Sequence, residues 1–288
     1  MTSRMDPAEH PSTYFVQDRS NKRKELTRLL IQDEIITAAM GGVLPEQPNP
    51  TIFHDVLDVA CGTGGWLIEA AKTYPTMTKL VGIDISKKMV EYAQAQAKDQ
   101  QVKERVAFHV MDALRPLGFP DAHFDLVNQR SGTGYLRTWD WPKLLSECRR
   151  ITRPGGVIRI TEADFGVEST SPALTHLNTI VFEAFYRAGH LFLNEKTGVT
   201  SELARLIDQY GFQDVQTRTC MPEYRPDTTE GEHFIEDMKL VFRTVVPFIQ
   251  KWGNMPSDYE TIYQQALSEM EHPAFMATWP ILTVWGTK

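Results

Sequence analysis

The feature that most restricts how this chain can fold is the segment Val56-Leu57-Asp58-Val59-Ala60-Cys61-Gly62-Thr63-Gly64-Gly65, in which a short apolar run gives way at once to small residues. Such a run reads as a buried strand, and the helical pattern Trp66-Leu67-Ile68-Glu69-Ala70-Ala71 follows directly. Small residues after a strand let a ligand approach the backbone, and the next helix offers its free N–H groups and the positive end of its dipole. A second strand, Lys79-Leu80-Val81-Gly82-Ile83-Asp84, ends on a carboxylate. It stands about 20 residues beyond the glycines, where an acid can accept two hydrogen bonds from ribose hydroxyls. A glycine turn alone is a weak sign of a ligand. With Asp84 in place, the two together describe a nucleoside site.

The same alternation of strand and helix continues downstream. Ser86 caps a helix carrying Met89, Val90, Ala93 and Ala97; strands follow at Val106–Met111 and Phe124–Asn128, a helix at Trp141–Ile151, and Pro154-Gly155-Gly156 turns into the strand Val157–Thr161. This order predicts an α/β fold with a doubly wound, mostly parallel sheet and helices on both faces, and Trp279–Trp285 closes it as an antiparallel edge strand. Upstream, Leu26, Leu29, Leu30, Ile36 and Met40 recur at helical spacing until Gly41-Gly42. Residues 165–200 interrupt the rhythm with Phe165, Phe182, Phe185, Tyr186 and Phe192, helical from Pro172 to about Leu193, before a helix from Thr200 to Tyr210. Two C-terminal helices begin with capping boxes, Thr229 with Glu232 and Ser257 with Glu260, and Pro247 should kink the first. The organisation expected is an N-terminal lid segment over 1–45 and one domain over 50–288, with helical insertions at 165–200 and 225–272.

Composition narrows the partners. Of 288 residues, 42 % are hydrophobic and 23 % charged, a globular mixture with a net charge of -7, so nothing draws the chain to nucleic acid or anionic lipid. Cys61, Cys148 and Cys220 are odd in number and scattered, which suits a reduced, cytoplasmic setting. No signal-peptide or membrane-spanning run is legible. The eight histidines show no paired ligand spacing, so no metal is expected. Basic runs such as Lys22-Arg23-Lys24 read as solvated helix faces.

The fine spacing selects the nucleoside. A dinucleotide fingerprint needs a small residue where this chain has Leu67, and Asp58 would repel phosphates while suiting an ammonium or water-bridged amino group. A positively charged nucleoside amino acid fits better. Asp58-Val-Ala-Cys-Gly62-Thr-Gly64, Asp84, Met111-Asp112-Ala113, Phe124-Asp125-Leu-Val127 and Arg153-Pro154-Gly155-Gly156 resemble the ordered motifs of class I S-adenosylmethionine-dependent methyltransferases, over roughly residues 50–165. Ala60 stands where that family commonly has glycine. The resemblance implies S-adenosylmethionine as methyl donor, held by Tyr14, Asp58, Ala60, Cys61, Gly62, Gly64, Asp84, Ile85, Met89, Met111, Asp112, Ala113, Gln129 and Arg130. In relatives of this kind the first loop meets the methionine part, the acid matching Asp84 the ribose, and the acid matching Asp112 the adenine amino group.

The flanks resemble a narrower group of bacterial small-molecule methyltransferases, including the prenyl C-methyltransferases of teleocidin-type pathways. Tyr14-Phe15-Val16, Met40-Gly41-Gly42, Leu136-Arg137-Thr138-Trp139-Asp140-Trp141-Pro142 and Arg159-Ile160-Thr161-Glu162 carry this likeness. It implies that Tyr14 and the first helix close over the donor and exclude water. For an oxygen or nitrogen acceptor the candidate bases are Glu162 and Asp164, with His190 and Tyr186 in the insertion. For an alkene acceptor the aromatic run offers faces for a carbocation, and His or Tyr a proton acceptor. The bland reading of that run is core, and of His190 a structural histidine. The expected function is C- or O-methylation of a small, largely apolar natural product. Its rivals are a donor-binding cyclase that transfers no methyl, a protein or RNA methyltransferase, and a non-enzymatic donor-binding scaffold. The apolar C-terminal helix faces are read as core ahead of a homo-oligomer contact.

Overall fold

In the computed structural model, residues 14–15, 22–163, 166–193 and 198–288 are described. In chain order the elements are α1 (Lys22–Met40), β1 (Asp55–Val59), α2 (Gly65–Thr73), β2 (Lys79–Asp84), α3 (Lys87–Asp99), β3 (Val106–Val110), β4 (Phe124–Arg130), α4 (Trp141–Ile151) and β5 (Thr152–Glu162). There follow β6 (Glu168–Ser169), α5 (Pro172–Arg187), α6 (Thr200–Gln209), β7 (Gln213–Cys220), β8 (Glu223–Tyr224), α7 (Thr229–Thr244), α8 (Val246–Trp252), α9 (Tyr259–Met270), β9 (Ala277–Thr278) and β10 (Ile281–Thr287). The main sheet has seven strands in the order β3-β2-β1-β4-β5-β10-β7. β1 to β5 are parallel, and β10 runs antiparallel to both its neighbours.

β1 is central because Val56, Leu57 and Val59 present apolar side chains to both faces, and every one of its residues is buried. The chain moves outward through β2 and β3, then returns to β4 on the other side of β1. That reversal opens a crevice at the carboxyl ends of β1 and β4, where ligands of such sheets bind. Behind it, Arg159 on β5 is fully buried, donates to Glu46 (2.7 Å) and to Asn128 (2.8 Å), and lies over the Trp66 ring. α1 crosses the mouth of the crevice and packs against α7.

Several local expectations need correction. β10 is the antiparallel strand, but it lies one place in from the edge, which β7 occupies. Thr228 rather than Thr229 caps α7, its hydroxyl accepting from the Gly231 N–H (3.0 Å). Among the described residues no side chain caps α9, whose N-cap position is held by Asp258 rather than Ser257, and the Glu260 carboxylate is taken by Arg243 (2.6 and 2.8 Å). Pro247 breaks the helix instead of kinking it, since its missing N–H is harmless in the first turn of α8. α5 stops at Arg187, short of Leu193, because Gly189 turns the chain at φ +84 with the Trp139 ring packed where a Cβ would stand. Among the described residues, no helix is long and apolar enough to cross a membrane.

Candidate active site

The loop after β1 is built on three residues with left-handed backbone, Ala60 (φ 55), Gly62 (φ 53) and Gly64 (φ 77). The two glycines serve different ends. A Cβ on Gly62 would meet nothing within 4 Å, so this residue leaves its backbone open to the cavity, whereas a Cβ on Gly64 would lie 2.7 Å from the Phe108 ring and 2.8 Å from Ala93. Gly62 keeps the surface of the loop open, and Gly64 lets the loop settle on β3 and α3. Asp84 fixes the loop from the side: its carboxylate accepts the Gly62 N–H (3.0 Å) and the Ser86 N–H (2.7 Å). Burial raises the Asp84 pKa above the usual carboxylate range, against the pull of those two N–H donors.

A cavity of about 1180 Å³ opens above this loop. Pockets for one small ligand usually measure about 300–1,000 Å³, and this space lies just above that range. One end is walled by Ala60, Gly62, Asp84, Ile85, Met89, Met111, Asp112, Ala113 and Arg130. Asp112 turns one oxygen to the Leu114 N–H (2.9 Å) and the other toward Arg115 (3.4 Å). The other end is apolar, walled by Phe15, Val167, Val181, Phe185, Met238, Phe242 and Trp279.

Four residues named from the sequence as donor contacts do not reach the wall, and each is displaced for a reason. Asp58 lies beneath the loop at 3 % exposure, accepting from Asn128 Nδ2 (2.7 Å), and burial pushes its carboxyl up to about 7 against the pull of Arg130. Cys61 points back toward β2, its Sγ 2.9 Å from where a Gly82 Cβ would stand. Gly64 is the packing glycine described above. Gln129 is buried behind Gly132, and both its amide atoms lack a hydrogen-bond partner among the described residues.

The candidate bases separate in the same way. Glu162 does face the cavity, but its carboxylate accepts the N–H groups of Gly132 (2.5 Å) and Thr133 (3.1 Å) and the Thr133 hydroxyl (2.8 Å). His190 is fully buried outside the cavity wall and donates Nδ1–H to the Thr133 carbonyl (2.9 Å). Burial holds its imidazole down at about 4, so it is neutral at pH 7. Glu162 and His190 therefore grip one loop from two sides. Tyr186 on α5 is 39 % exposed and is not part of the cavity wall, so the structure does not bring it to the site. Of the aromatic run, Phe185 lines the cavity, whereas Phe182 and Phe192 pack against the core. Asp164 and Phe165 fall outside the described residues.

Sequence reasoning named Arg130 and Tyr14 but missed the polar groups of α1 and α7 that surround them. Arg130 donates to Thr37 (3.1 Å) and pairs with Asp33, both on α1, and a Cβ on Gly65 would collide with that same Asp33 carboxylate. Thus α1 is docked onto the start of α2 and the end of β4. Further along the cavity, Arg28 makes a two-point pair with Glu25 (2.8 and 2.9 Å) and donates to the Tyr14 hydroxyl (3.0 Å), which itself donates to Glu25. Asp237 on α7 stands 3.5 Å from Arg28 Nη1. The spacing of Glu25 and Arg28 among Leu26 and Leu29 was a usable sign, because it places charge inside an apolar helix pattern.

A methyltransferase domain model matches residues 56–156, the span from β1 into β5. The demethylmenaquinone methyltransferase of Lactiplantibacillus plantarum is 32 % identical over 170 residues, 56 % of this chain and 70 % of that one. The geranyl diphosphate 2-C-methyltransferase of Saccharopolyspora erythraea is 32 % identical over 134 residues, 46 % of this chain and 42 % of that one. The crystal structure of the [4+2]-cyclase SpnF superposes with a TM-score of 0.50 at 16 % identity, covering 93 % of this chain and 96 % of that one, and shares the fold. The first relative agrees with this chain over most of its own length, and the matched domain holds the glycine loop and Asp84. This chain belongs to the class I S-adenosylmethionine-dependent methyltransferases.

Proposed function

We propose that this enzyme transfers a methyl group to a small, largely apolar acceptor held beside the donor under α1. The observation that carries the proposal is one continuous cavity with two unlike ends, one built from the glycine loop and Asp84 and one mainly from aromatic and aliphatic side chains. The residues present suit S-adenosylmethionine. Gly62 leaves room for close approach, Asp84 faces the space where ribose hydroxyls would donate, and Met111, Asp112, Ile85 and Met89 frame a slot for adenine. Ala60, Gly62 and Arg130 border the methionine end.

When bound, the donor supplies a sulfonium methyl group that an acceptor's electron pair takes, leaving a neutral thioether. The protein's part is alignment and dryness, and proximity of this kind can supply a large share of the rate. α1 excludes water, docked through Arg130 to Asp33 and Thr37. Glu162 and His190 hold the Gly132–Thr133 loop, whose Thr133 and Gly134 line the space between the two ends. In this reading Glu162 is a strut and not a base. The relative named for demethylmenaquinone supports a largely apolar acceptor here, and the one named for geranyl diphosphate supports an apolar chain at the reacting end.

The test is to incubate the enzyme with methyl-deuterated donor and an extract of its source cells, then to follow label in small molecules, protein and RNA by mass spectrometry. Label in one small molecule, matched by S-adenosylhomocysteine, is expected. Label in protein or RNA contradicts the acceptor class, and donor binding with no label anywhere points to a reaction that spends no methyl.

A further inference from the structure

The apolar end of the cavity is interrupted at two places by buried polar groups whose hydrogen bonds are incomplete among the described residues: a loose ion pair between Arg28 and Asp237, and Asn178. Arg28 and Asp237 are each 1 % exposed and both line the cavity. Their facing atoms, Arg28 Nη1 and Asp237 Oδ1, stand 3.5 Å apart, and neither has a hydrogen-bond partner among the described residues. On α5, Asn178 lines the same cavity at 8 % exposure, its Nδ2 also unpartnered. Leaving such groups bare in a dry site costs free energy, so their retention in a wall of Val181, Phe185, Met238 and Phe242 calls for a polar group on what enters.

The charges specify which polar group. Arg28 is already neutralised by its two-point pair with Glu25, so Asp237 is an additional acid beside a completed ion pair. A carboxylate or phosphate could accept from Arg28 Nη1 but would meet Asp237 with like charge. An ammonium could donate to Asp237 but would meet Arg28. A neutral hydroxyl satisfies both atoms at once, accepting from Nη1–H and donating to Oδ1. We propose that Arg28 and Asp237 form an anchor for a neutral hydroxyl group on an otherwise apolar acceptor, which makes Asp237 a specificity-determining residue. This rests on the acceptor site assigned above and narrows it to hydroxylated molecules.

Four probes of one shape test the anchor: 2-naphthol, naphthalene, 2-naphthoate and 2-naphthylmethylammonium, each titrated into the enzyme saturated with S-adenosylhomocysteine. The expected result is that 2-naphthol binds at least about tenfold more tightly than any of the others, a range set by one hydrogen-bonded pair with charged partners. In Asp237→Leu, where only the Arg28 Nη1–H is left to meet the hydroxyl, the preference for naphthol over naphthalene should fall several-fold, and an unchanged preference would overturn the role of Asp237. The Arg28–Glu25 pair is left intact in that variant, and unchanged affinity for S-adenosylhomocysteine reports that it has folded. If the variant does not fold, the four wild-type affinities decide alone. Equal binding of naphthol and naphthalene, a preference for either charged probe, or binding of none of the four overturns the anchor. Failure to bind S-adenosylhomocysteine at all is a separate result and contradicts the methyl-donor reading.

Discussion

In the glycine-loop end of the cavity, Asp84 is held by backbone N–H groups of Gly62 and Ser86, all within the first βαβ unit; in the cap, Arg28 of α1 faces Asp237 of α7 across the fold without a hydrogen bond. One end has its hydrogen bonds complete, and the other leaves Arg28 Nη1 and Asp237 Oδ1 without one among the described residues. A donor shared by many methyltransferases can be met by a preformed backbone cradle. An acceptor particular to one enzyme is met by side chains from distant elements, which can change without disturbing the sheet. The two ends should therefore respond differently to substitution.

The largest effect is expected at Gly64. Gly64→Val forces a β-branched residue to φ +77 and drives its Cβ into Phe108, which should cost about 2–5 kcal/mol and lower the melting temperature by on the order of 10 °C. Gly62→Ala carries the backbone cost alone, about 1–2 kcal/mol, but places a methyl group where the donor approaches, so calorimetry should show donor affinity falling more than stability. Equal behaviour of the two variants would erase the distinction drawn between the glycines.

Asp84→Ala should weaken S-adenosylhomocysteine binding about 10- to 100-fold, the worth of hydrogen bonds to a charged acceptor. Retained affinity would remove the ribose assignment. No comparable loss of donor affinity is expected from a change at Asp237, because that residue belongs to the other end.

Asp237 is instead a stability probe. Burial pushes its carboxyl up to about 6, so the folded state holds the proton more firmly than the unfolded chain does. Its favourable contribution is full below the unfolded pKa of 3.8 and is lost as pH rises to about 6. Asp237→Asn keeps the shape without the ionisation. Its stability relative to wild type should rise by about 1–3 kcal/mol between pH 4 and pH 6 and then level off, as urea titrations would show. A flat difference across that range would mean that Asp237 is not desolvated as the structure has it.

The smallest effect is expected at Ala60, a non-glycine residue at φ 55. Ala60→Gly relieves left-handed strain but gains unfolded-state entropy, so a net stabilisation of at most about 1 kcal/mol should appear in denaturant titration, with donor affinity unchanged.

The same contrast explains what the sequence could disclose. The strand, glycine loop and Asp84 were readable because they lie in one short span whose chemistry depends on local order, and the helix at Trp141–Ile151 came out residue for residue. The cap was not readable in that way, since its pairings join α1 to α7 and α5 to the loop after β4. His190 and Tyr186 looked alike as bases in the sequence, yet one turns inward to brace Thr133 and the other faces solvent. β7 escaped notice because Gln213–Cys220 carries mostly exposed polar residues, as an edge strand can, and offers little apolar alternation. Asp58 was read as an acid facing an ammonium, whereas its place beneath the loop depends on Asn128, which arrives from β4.

That one cavity holds the donor at its glycine-loop end and keeps its apolar end for an acceptor is tested most directly by a crystal structure of the enzyme with S-adenosylhomocysteine. The expected result is ribose hydroxyls hydrogen-bonded to Asp84, the homocysteine end beside Gly62 and Arg130, and the space between Phe185 and Phe242 left free. A nucleoside lodged among those phenylalanines, or bound with no contact to Asp84, would contradict it.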